Sequence, residues 1–249
     1  MLTVEKLSVS FGGIPALSEV SMQVKQGHVH AVIGPNGAGK TTLFNLISGL
    51  YTPDAGAVFL QAQSIAGLVP EKLAQLGVSR TFQNLQICMN MTALENVMLG
   101  AHLHVNTGLL AGLLGMTRRN DVQLAQECQA LMAFAGVESA REAHATQLSF
   151  GVLKRLEIAR ALAVKPRLLL LDEPSAGLNE TETGEITALI RKIAASGVTV
   201  VLVEHDMKMV MSVSDQVVVL DQGKKIAEGT PSEVSSNPLV VAAYLGTEV

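Results

Sequence analysis

A run of eight residues near the start of the chain has the composition of a phosphate-binding loop. The run GPNGAGKT at residues 34–41 matches the pattern G-x-x-x-x-G-K-[ST]. Its glycines let successive backbone N–H groups face an anion without a Cβ in the way. Lys40 would neutralise charge on the β- and γ-phosphates, and the Thr41 hydroxyl would bind Mg²⁺. The pattern therefore predicts a site for a magnesium nucleotide.

Two acids follow a run of four leucines. Leu168–Leu171 predicts a strand buried on both faces, and Asp172 and Glu173 come directly after it. Buried acids are costly unless they are paired or bound to a cation, and a magnesium nucleotide beside the loop would meet that need. Asp172 would hold Mg²⁺, directly or through water, and Glu173 would accept a proton from attacking water. A strand that ends in a surface turn led by Pro174 is a poor alternative once the phosphate loop is present.

The segments that would position these residues alternate between apolar strands and helices. This order indicates a parallel sheet covered by helices on both faces, and the block at roughly 88–165 is a candidate inserted helical subdomain. Residues 50–86 are predicted to hold strand and turn pieces. The predicted strands are 2–9, 20–24, 29–33, 168–171, 198–203 and 217–220; the predicted helices are 40–48, 149–163, 181–195 and one beginning near Asp121 in a mostly helical stretch over 93–136.

Composition narrows the class of protein. Of 249 residues, 48% are hydrophobic and 16% are charged, which excludes a disordered chain and allows a sizeable core. The net charge of -4 gives no domain-wide basic surface for nucleic acid. Cys88 and Cys128 cannot form a disulfide framework, so a reducing compartment fits best. We expect no signal peptide, because Met1–Lys6 shows no basic region followed by an apolar stretch. We also expect no membrane-spanning segment, because no apolar stretch reaches the roughly 18 residues that a bilayer requires.

Four further segments, together with the phosphate loop and the two acids, make the chain resemble the nucleotide-binding subunits of ABC transporters. Arg80–Gln83 resembles the Q-loop, and Leu148–Gly151 resembles the signature motif. Ser175–Asn179 resembles the D-loop, and His205, after a buried strand, resembles the switch histidine. The resemblance covers essentially the whole chain, and several ordered motifs are far more specific than any one alone.

The resemblance implies a fold. It implies an α/β architecture, in which a P-loop NTPase (RecA-like) core carries an N-terminal antiparallel β subdomain and an inserted α-helical subdomain. The whole chain, 1–249, would be a single ABC ATPase domain. Residues 1–87 and 166–249 would form the nucleotide-binding core with its β subdomain, and residues 88–165 would form the helical subdomain with the signature motif.

By the same resemblance, two such subunits pack head to tail and bind ATP and Mg²⁺. ATP would lie between the loop at 34–41 of one subunit and Ser149–Gly151 of the other. Ser149 can cap the helix that follows it, so that the helix N-terminus becomes a second anion site. The implied catalytic residues are Glu173, His205 and Gln83, and the implied metal ligands are Thr41, Gln83 and Asp172. The implied nucleotide contacts are Phe11, Gly34, Asn36, Gly37, Ala38, Gly39, Lys40, Thr41, Thr42, Asp172, Ser149 and Gly151.

Three of these assignments have plain structural alternatives. Gln83 could be a solvated loop residue, and His205 could be a structural histidine at a strand end. Phe11, beside two glycines, could stack on adenine or belong to the core, and the sequence favours neither. Without the other motifs, the structural alternatives would be the default for Gln83 and His205.

Three positions depart from the family pattern. Phe150 stands where the signature motif commonly has its first Gly, and Val152 stands where it commonly has Gln. The change at Val152 puts a polar contact to the opposite nucleotide in question, whereas Ser149 keeps the helix cap. The D-loop ends in Asn179 where Asp is usual. None of these changes removes the predicted magnesium site or the predicted base.

Within the family, the chain most resembles the ATP-binding subunits of branched-chain (hydrophobic) amino-acid importers. Such importers pair two different ATPase subunits with two permeases and a periplasmic binding protein. The implied partners are therefore transmembrane permease subunits, a second ATPase subunit in a homo- or heterodimer and, indirectly, a periplasmic solute-binding protein, with no nucleic acid. The implied location is the cytoplasmic face of the inner membrane, held peripherally. The stretches that carry this resemblance are 11–13, 40–49, 80–83, 155–160, 174–179 and 223–246.

Other functions stay open at this level. The chain has no solute pocket of its own, so importers of urea, amides or aromatic acids are alternatives. A non-transport ABC ATPase acting on nucleic acid or ribosomes is disfavoured by the single cassette and the acidic composition. An unrelated P-loop kinase gives no account of Leu148–Gly151, and a catalytically inactive scaffold is opposed by the intact nucleotide-site residues. The apolar stretch Gly108–Met116 would be either a buried helix of the inserted subdomain or a contact with the permease or the inner leaflet.

Overall fold

The computed structural model describes residues 1–104 and 117–245, which form two sheets with helices packed against them. The apolar stretch Gly108–Met116 lies outside the described residues, so both interpretations of it stay predictions. The strands are β1 (Leu2–Phe11), β2 (Ile14–Val24), β3 (Val29–Ile33), β4 (Ala55–Leu60), β5 (Gln63–Ser64), β6 (Val78–Arg80), β7 (Leu168–Asp172), β8 (Thr199–Val203), β9 (Gln216–Asp221) and β10 (Lys224–Gly229). The helices are α1 (Lys40–Ile47), α2 (Pro70–Gln75), α3 (Ala93–Gly100), α4 (Thr117–Phe134), α5 (Phe150–Leu162), α6 (Glu180–Ala195), α7 (Met207–Val213), α8 (Pro231–Ser235) and α9 (Pro238–Leu245), with short 3-10 turns at Ala101–His104, Glu138–Ala140 and Ala145–Gln147.

The two sheets differ in the direction of their strands. The larger sheet has the order β10-β9-β3-β8-β7-β6, and its strands pair in parallel except that β10 runs antiparallel to β9. The smaller sheet, β2-β1-β4-β5, is antiparallel and is built from the N-terminal part of the chain. The predictions of an α/β fold, a parallel sheet and an N-terminal antiparallel β part are therefore confirmed.

The parallel sheet has apolar side chains on both faces, as the leucine run predicts. Leu169 and Leu171 pack on one face with the helices α3 to α6. Leu168 and Leu170 pack on the other face with α1 and the antiparallel sheet. Successive residues of a strand point to opposite faces, so a continuous apolar run fills both cores at once.

Helices α3, α4 and α5 pack against one another beside the sheet. Val97, Cys128, Met132 and Leu156 belong to the same buried cluster. Cys128 is thus a core residue, and burial raises the pKa of its thiol to about 11. The boundaries at 88 and 165 that the sequence suggests for a helical subdomain stay a prediction.

Several elements differ from those predicted. Helix α2 lies where the sequence predicts only strand and turn pieces; of its six residues only Leu73 is fully buried, so no helical apolar period develops. Helix α4 begins at Thr117 rather than near Asp121. The sequence analysis did not predict helices α7 to α9, which are short. It also did not predict strand β10, which is short and has no fully buried residue.

The topology brings three chain segments to one edge of the parallel sheet. Strands β3, β8 and β7 are neighbours, with Val32 beside Val203 and Val203 beside Asp172. Since parallel strands end at the same edge, the segments that follow these strands must lie close together. They are the loop at 34–41, the residues from Glu173 onward and the segment 204–206.

A buried histidine makes the stability of this sheet depend on pH. His30 lies on β3, and its Nε2 accepts a hydrogen bond from the Lys25 N–H (3.2 Å). Burial, with a smaller contribution from His28, lowers the pKa of His30 from 6.5 to about 4, although Asp215 and Glu228 oppose the shift. Between these values the unfolded chain binds a proton that the folded chain excludes. The free energy of unfolding therefore falls as the pH decreases from 6.5 toward 4.

We expect His30→Gln to lose less stability on acidification than the wild type. Glutamine does not titrate, so the stability difference between the two proteins should shift by about 2 kcal/mol in favour of the variant between about pH 7.5 and about pH 5. Urea unfolding followed by circular dichroism at both pH values measures this shift. The exposed His102, changed to Gln, is the matched control and should behave like the wild type. Equal pH dependence for all three proteins would contradict the prediction.

Candidate nucleotide site

The loop at 34–41 connects β3 to α1 in a conformation that requires glycine. Gly34, Gly37 and Gly39 have φ values of 150°, 81° and 100°. A Cβ on Gly34 would lie 2.0 Å from the Leu220 carbonyl oxygen, so no other residue fits there. Gly39 precedes α1 and no side chain caps this helix, which leaves its first N–H groups open to a ligand. The sequence predicted this strand–loop–helix arrangement, and the structure confirms it.

The loop borders a cavity of about 320 Å³. Predicted nucleotide contacts and two predicted catalytic residues share its wall. The lining residues are Ala16, Asn36, Gly37, Ala38, Gly39, Lys40, Thr41, Thr42, Gln83 and Glu173.

Lys40 is held inside its own loop. Its ammonium group donates hydrogen bonds to the carbonyl oxygens of Gly34 (2.7 Å) and Pro35 (2.9 Å). Burial lowers the pKa of Lys40 from its ordinary value, and the carboxylates of Glu173 and Asp172 oppose this shift. The positive charge of Lys40 therefore lies in the electrostatic field of both acids.

Asp172 has a partner that the sequence argument did not foresee. Its carboxylate accepts a hydrogen bond from Arg80 (2.7 Å), and both side chains are almost completely buried. Arg80 also donates to the Asn45 side chain (2.8 Å) and to the Ser48 hydroxyl (2.7 Å). The reasoning that Asp172 needs Mg²⁺ to compensate its burial is therefore wrong, because Arg80 already compensates it. Its place as a magnesium ligand stays a prediction that rests on the resemblance.

Glu173 meets the other two predicted catalytic residues. Its Oε2 accepts a hydrogen bond from the Gln83 amide (2.9 Å) and lies 3.9 Å from Nδ1 of His205. Gln83 is thus bonded to a site residue rather than only to solvent. The Glu173 N–H donates to the Val203 carbonyl (2.9 Å), and its φ of 48° lies in the left-handed region that non-glycine residues avoid. Such strained backbone persists where the surroundings fix it, which is common at functional sites.

The signature segment begins a helix as predicted. The Ser149 hydroxyl accepts a hydrogen bond from the Val152 N–H (3.4 Å) and caps α5. A Cβ on Gly151 would lie 2.4 Å from a carboxylate oxygen of Glu182 on α6. Neither Ser149 nor Gly151 lines the cavity at the phosphate loop of the same chain. Their contact with a nucleotide on another subunit stays a prediction.

Two of the three departures from the family pattern, Phe150 and Asn179, have local structural roles. The ring of Phe150 lies 3.0 Å from the position of a Cβ on Gly177, so it packs against the D-loop. The Lys154 ammonium lies 5.7 Å from the centre of the same ring. Asn179 caps α6 by accepting a hydrogen bond from the Glu182 N–H (3.0 Å). Asn and Asp are equivalent as helix caps, so the change at Asn179 costs no helix stability.

Phe11 lies at the surface, so the alternative of a core phenylalanine is wrong. Its side chain is 47% exposed at the end of β1, beside the turn made by Gly12 and Gly13. Its ring meets the Tyr51 ring edge-on, with centroids 5.1 Å apart. The contact of Phe11 with adenine stays a prediction.

Comparison with known proteins identifies the family. The family model of the ABC transporter matches residues 17–176, and that of the branched-chain amino acid ATP-binding cassette transporter matches residues 224–249. The high-affinity branched-chain amino acid transport ATP-binding protein BraF of Pseudomonas aeruginosa is 44% identical over 99% of this chain and 98% of its own length. Its counterpart LivG of Escherichia coli is 39% identical over the same shares. The chain belongs to the ABC transporter ATP-binding family.

Solved structures agree with this assignment. A nucleotide-free ATP-binding cassette from an ABC transporter superposes with a TM-score of 0.87 at 32% identity, covering 99% of each chain. A cassette in its ADP conformation superposes with a TM-score of 0.86 at 32% identity, covering 99% of this chain and 98% of that one. The predicted P-loop NTPase fold is confirmed, and the chain is an ATP-hydrolysing cassette. Among residues 1–104 and 117–245, no helix has the length and apolar character to cross a bilayer.

Sequence reasoning missed four buried charged residues of the cassette. They are Arg80, Lys154, Glu157 and Glu204, whose side chains all contact the segments of the site. Burial raises the pKa of Glu157, which accepts a hydrogen bond from the Gln86 N–H (3.2 Å) just beyond the Q-loop. The sequence did contain a signal for such residues, namely a charged residue next to an apolar run, as in Val203-Glu204. A charged residue that is buried beside an apolar strand needs a partner.

The Arg80–Asp172 pair gives a stability prediction for the cassette. Arg80→Met should lower the free energy of unfolding by about 3–5 kcal/mol, because it leaves a buried carboxylate without its cation. Arg141→Met is the control, since Arg141 pairs with Glu142 at the surface, and it should cost less than about 1 kcal/mol. Chemical denaturation measures both. A loss for Arg80→Met as small as that of the control would show that the pair does not compensate the burial of Asp172.

Proposed function

We propose that this chain is the ATP-hydrolysing subunit of an importer for branched-chain or other hydrophobic amino acids. One observation carries the proposal: the C-terminal residues 224–249 match the branched-chain amino acid cassette model in addition to the general cassette model. The names of the full-length relatives BraF and LivG agree with it. Importers of urea, amides or aromatic acids are the alternative, because the solute is bound by other subunits.

The described residues fit ATP with Mg²⁺. The loop at 34–41 offers open N–H groups and Lys40, which suit the phosphates. The hydroxyl of Thr41, the amide oxygen of Gln83 and a carboxylate oxygen of Asp172 are the hard oxygen donors that Mg²⁺ prefers. Mg²⁺ held by these residues would supply positive charge that neutralises part of the phosphate charge. Phe11 offers an exposed ring to the adenine.

In the proposed reaction, Glu173 acts on the attacking water, and His205 and Lys40 act on the terminal phosphate. Glu173 accepts a proton from the water whose oxygen bonds to the γ-phosphorus, while the bond from that phosphorus to the β–γ bridging oxygen breaks and ADP leaves. Gln83 holds the Glu173 carboxylate in place. His205, beside the same carboxylate, contacts the γ-phosphate. Lys40 stabilises the negative charge that develops on the phosphate oxygens.

The proposed assembly is a head-to-tail pair of cassettes. Ser149 and Gly151, at the N-terminus of α5, then contact the nucleotide held by the loop of the other subunit. Each ATP bridges two positive surfaces, and hydrolysis removes the bridge, which shifts the pair from closed to open. The pair works with transmembrane permease subunits at the cytoplasmic face of the inner membrane, and a periplasmic binding protein delivers the solute.

Glu173→Gln tests the role of the base. We expect ATP binding to persist and hydrolysis to fall by roughly 10²–10⁴, the usual contribution of a positioned base. The variant should also form a stable dimer in ATP, which size-exclusion chromatography measures. Glu138→Gln, at an exposed position, is the control and should hydrolyse ATP like the wild type. Wild-type hydrolysis by Glu173→Gln would remove Glu173 from its role.

Lys40→Ala separates binding from hydrolysis. The variant loses the ammonium that faces the phosphates, so we expect its affinity for ATP to fall by at least tenfold, whereas Glu173→Gln keeps its affinity. Calorimetric titration with ATP and Mg²⁺ measures both. Equal affinities for the two variants would contradict the assignment of Lys40.

Deletion of the gene in its host tests the solute. Uptake of labelled leucine, isoleucine and valine should be lost and should return with the wild-type gene but not with Glu173→Gln. Loss of urea, amide or aromatic-acid uptake with unchanged leucine uptake would favour the alternative importers.

A further inference from the structure

Glu204 is a buried carboxylate that joins two segments of the site. Its side chain is 0% exposed. One carboxylate oxygen, Oε1, accepts hydrogen bonds from the Ser175 N–H (2.8 Å) and the Ser175 hydroxyl (2.6 Å). The other, Oε2, accepts from the N–H groups of His205 (3.0 Å) and Asp206 (3.3 Å). Each oxygen therefore holds one segment: the start of the D-loop, or residues 205–206, here called the switch loop.

The buried negative charge of Glu204 is stabilised by its hydrogen bonds. Among the described residues, no lysine or arginine forms an ion pair with Glu204, and Nδ1 of His205 lies 4.0 Å from Oε2 of Glu204. A buried charge without an ion pair is tolerated when several hydrogen bonds stabilise it. Moving either loop away would leave part of the charge without donors, so the carboxylate opposes any separation of the D-loop from the switch loop.

The two loops carry the residues proposed for hydrolysis. Ser175 is two residues beyond Glu173, and His205 directly follows Glu204. Oε2 of Glu173 and Nδ1 of His205 are 3.9 Å apart. The far side of the switch loop is also fixed, because Asp206 caps α7 by accepting a hydrogen bond from the Met209 N–H (3.1 Å). Glu204 therefore fixes the position of His205 relative to Glu173 through its hydrogen bonds to the two loops.

We propose that Glu204 is a positioning residue for ATP hydrolysis, which holds the switch loop against the D-loop so that His205 stays beside Glu173. The proposal rests on the functions proposed above for His205 and Glu173. Glu204 does not line the cavity at the phosphate loop, so it acts through these residues rather than on the nucleotide.

Steady-state ATP hydrolysis by the full chain tests the proposal. Glu204→Gln keeps the shape of the side chain, but its NH₂ group would face N–H donors and could accept no hydrogen bond from them. The one remaining oxygen would then hold only one of the two loops. We expect kcat to fall about tenfold or more and the KM for ATP to stay within about threefold, because the phosphate loop is untouched. Asp215→Asn is the matched control: Asp215 also accepts a backbone hydrogen bond, from the Val29 N–H (2.8 Å), but at the opposite end of β3. It should hydrolyse ATP like the wild type.

A double-mutant cycle with His205→Ala distinguishes positioning from general destabilisation. If Glu204 acts through His205, Glu204→Gln should lower kcat by less than about threefold when His205 is already absent. A full tenfold loss in both backgrounds would overturn the proposal. Normal ATP hydrolysis by His205→Ala and Glu173→Gln would contradict the catalytic roles proposed for these two residues. Impaired hydrolysis by both variants together with normal hydrolysis by Glu204→Gln would contradict only the positioning role of Glu204.

Ser175→Ala covers the case in which Glu204→Gln does not fold. It removes one donor and leaves the carboxylate with three, so the fold should survive, as a cooperative thermal transition would show. We expect kcat to fall by about threefold or more at unchanged KM, and the loss to shrink in the His205→Ala background. A wild-type kcat for Ser175→Ala, when Glu204→Gln is unfolded or also normal, would overturn the proposal.

Discussion

Negative charge at one edge of the parallel sheet is the constraint that organises this structure. Asp172, Glu173 and Glu204 all lie where two neighbouring strands end, with Asp172 beside Val203 in the pairing of β7 and β8. Three carboxylates so close together repel one another, and burial adds to the cost. Each one is compensated by a different set of donors: those of Asp172 and Glu173 come from the segment Arg80–Gln83, and those of Glu204 come from the two loops next to it. The arrangement of loops around the site follows from this compensation.

The three acids differ in the groups that compensate their negative charges. Asp172 is neutralised by Arg80, which is itself fixed by Asn45 and Ser48 near the end of α1. Glu204 is stabilised by four hydrogen bonds from the two loops next to it. Glu173 is the most exposed of the three, and Gln83 is its one side-chain hydrogen-bond donor within the part of the chain that the structure describes. The acid proposed to take up a proton is thus the one whose environment leaves it accessible to water, whereas the carboxylates of Asp172 and Glu204 are buried.

The sequence predicted the parts of this site that depend on local patterns. The loop at 34–41 was predictable because its glycines, Lys40 and the helix that follows are adjacent in the sequence. The leucine run gave β7, and Ser149 gave the start of α5. The partners of the buried acids were not predictable, since Arg80 and Asp172 are 92 positions apart and Ser175 and Glu204 are 29 apart. No periodicity encodes such pairs; only the order of the strands brings them together.

Helix α5 also contacts the segments at this edge of the parallel sheet. Lys154 donates a hydrogen bond to the Glu173 carbonyl (3.4 Å), and Glu157 accepts one from the Gln86 N–H (3.2 Å). Arg160 donates to the Gln86 carbonyl. One face of the helix that begins with the signature segment therefore contacts both the segment of the base and the segment after the Q-loop. Since Lys154 and Glu157 are buried, displacing α5 from the sheet would break compensated charges. The helix N-terminus that would meet a second subunit and the residues that would act on ATP are consequently coupled through packed, charged contacts within one chain.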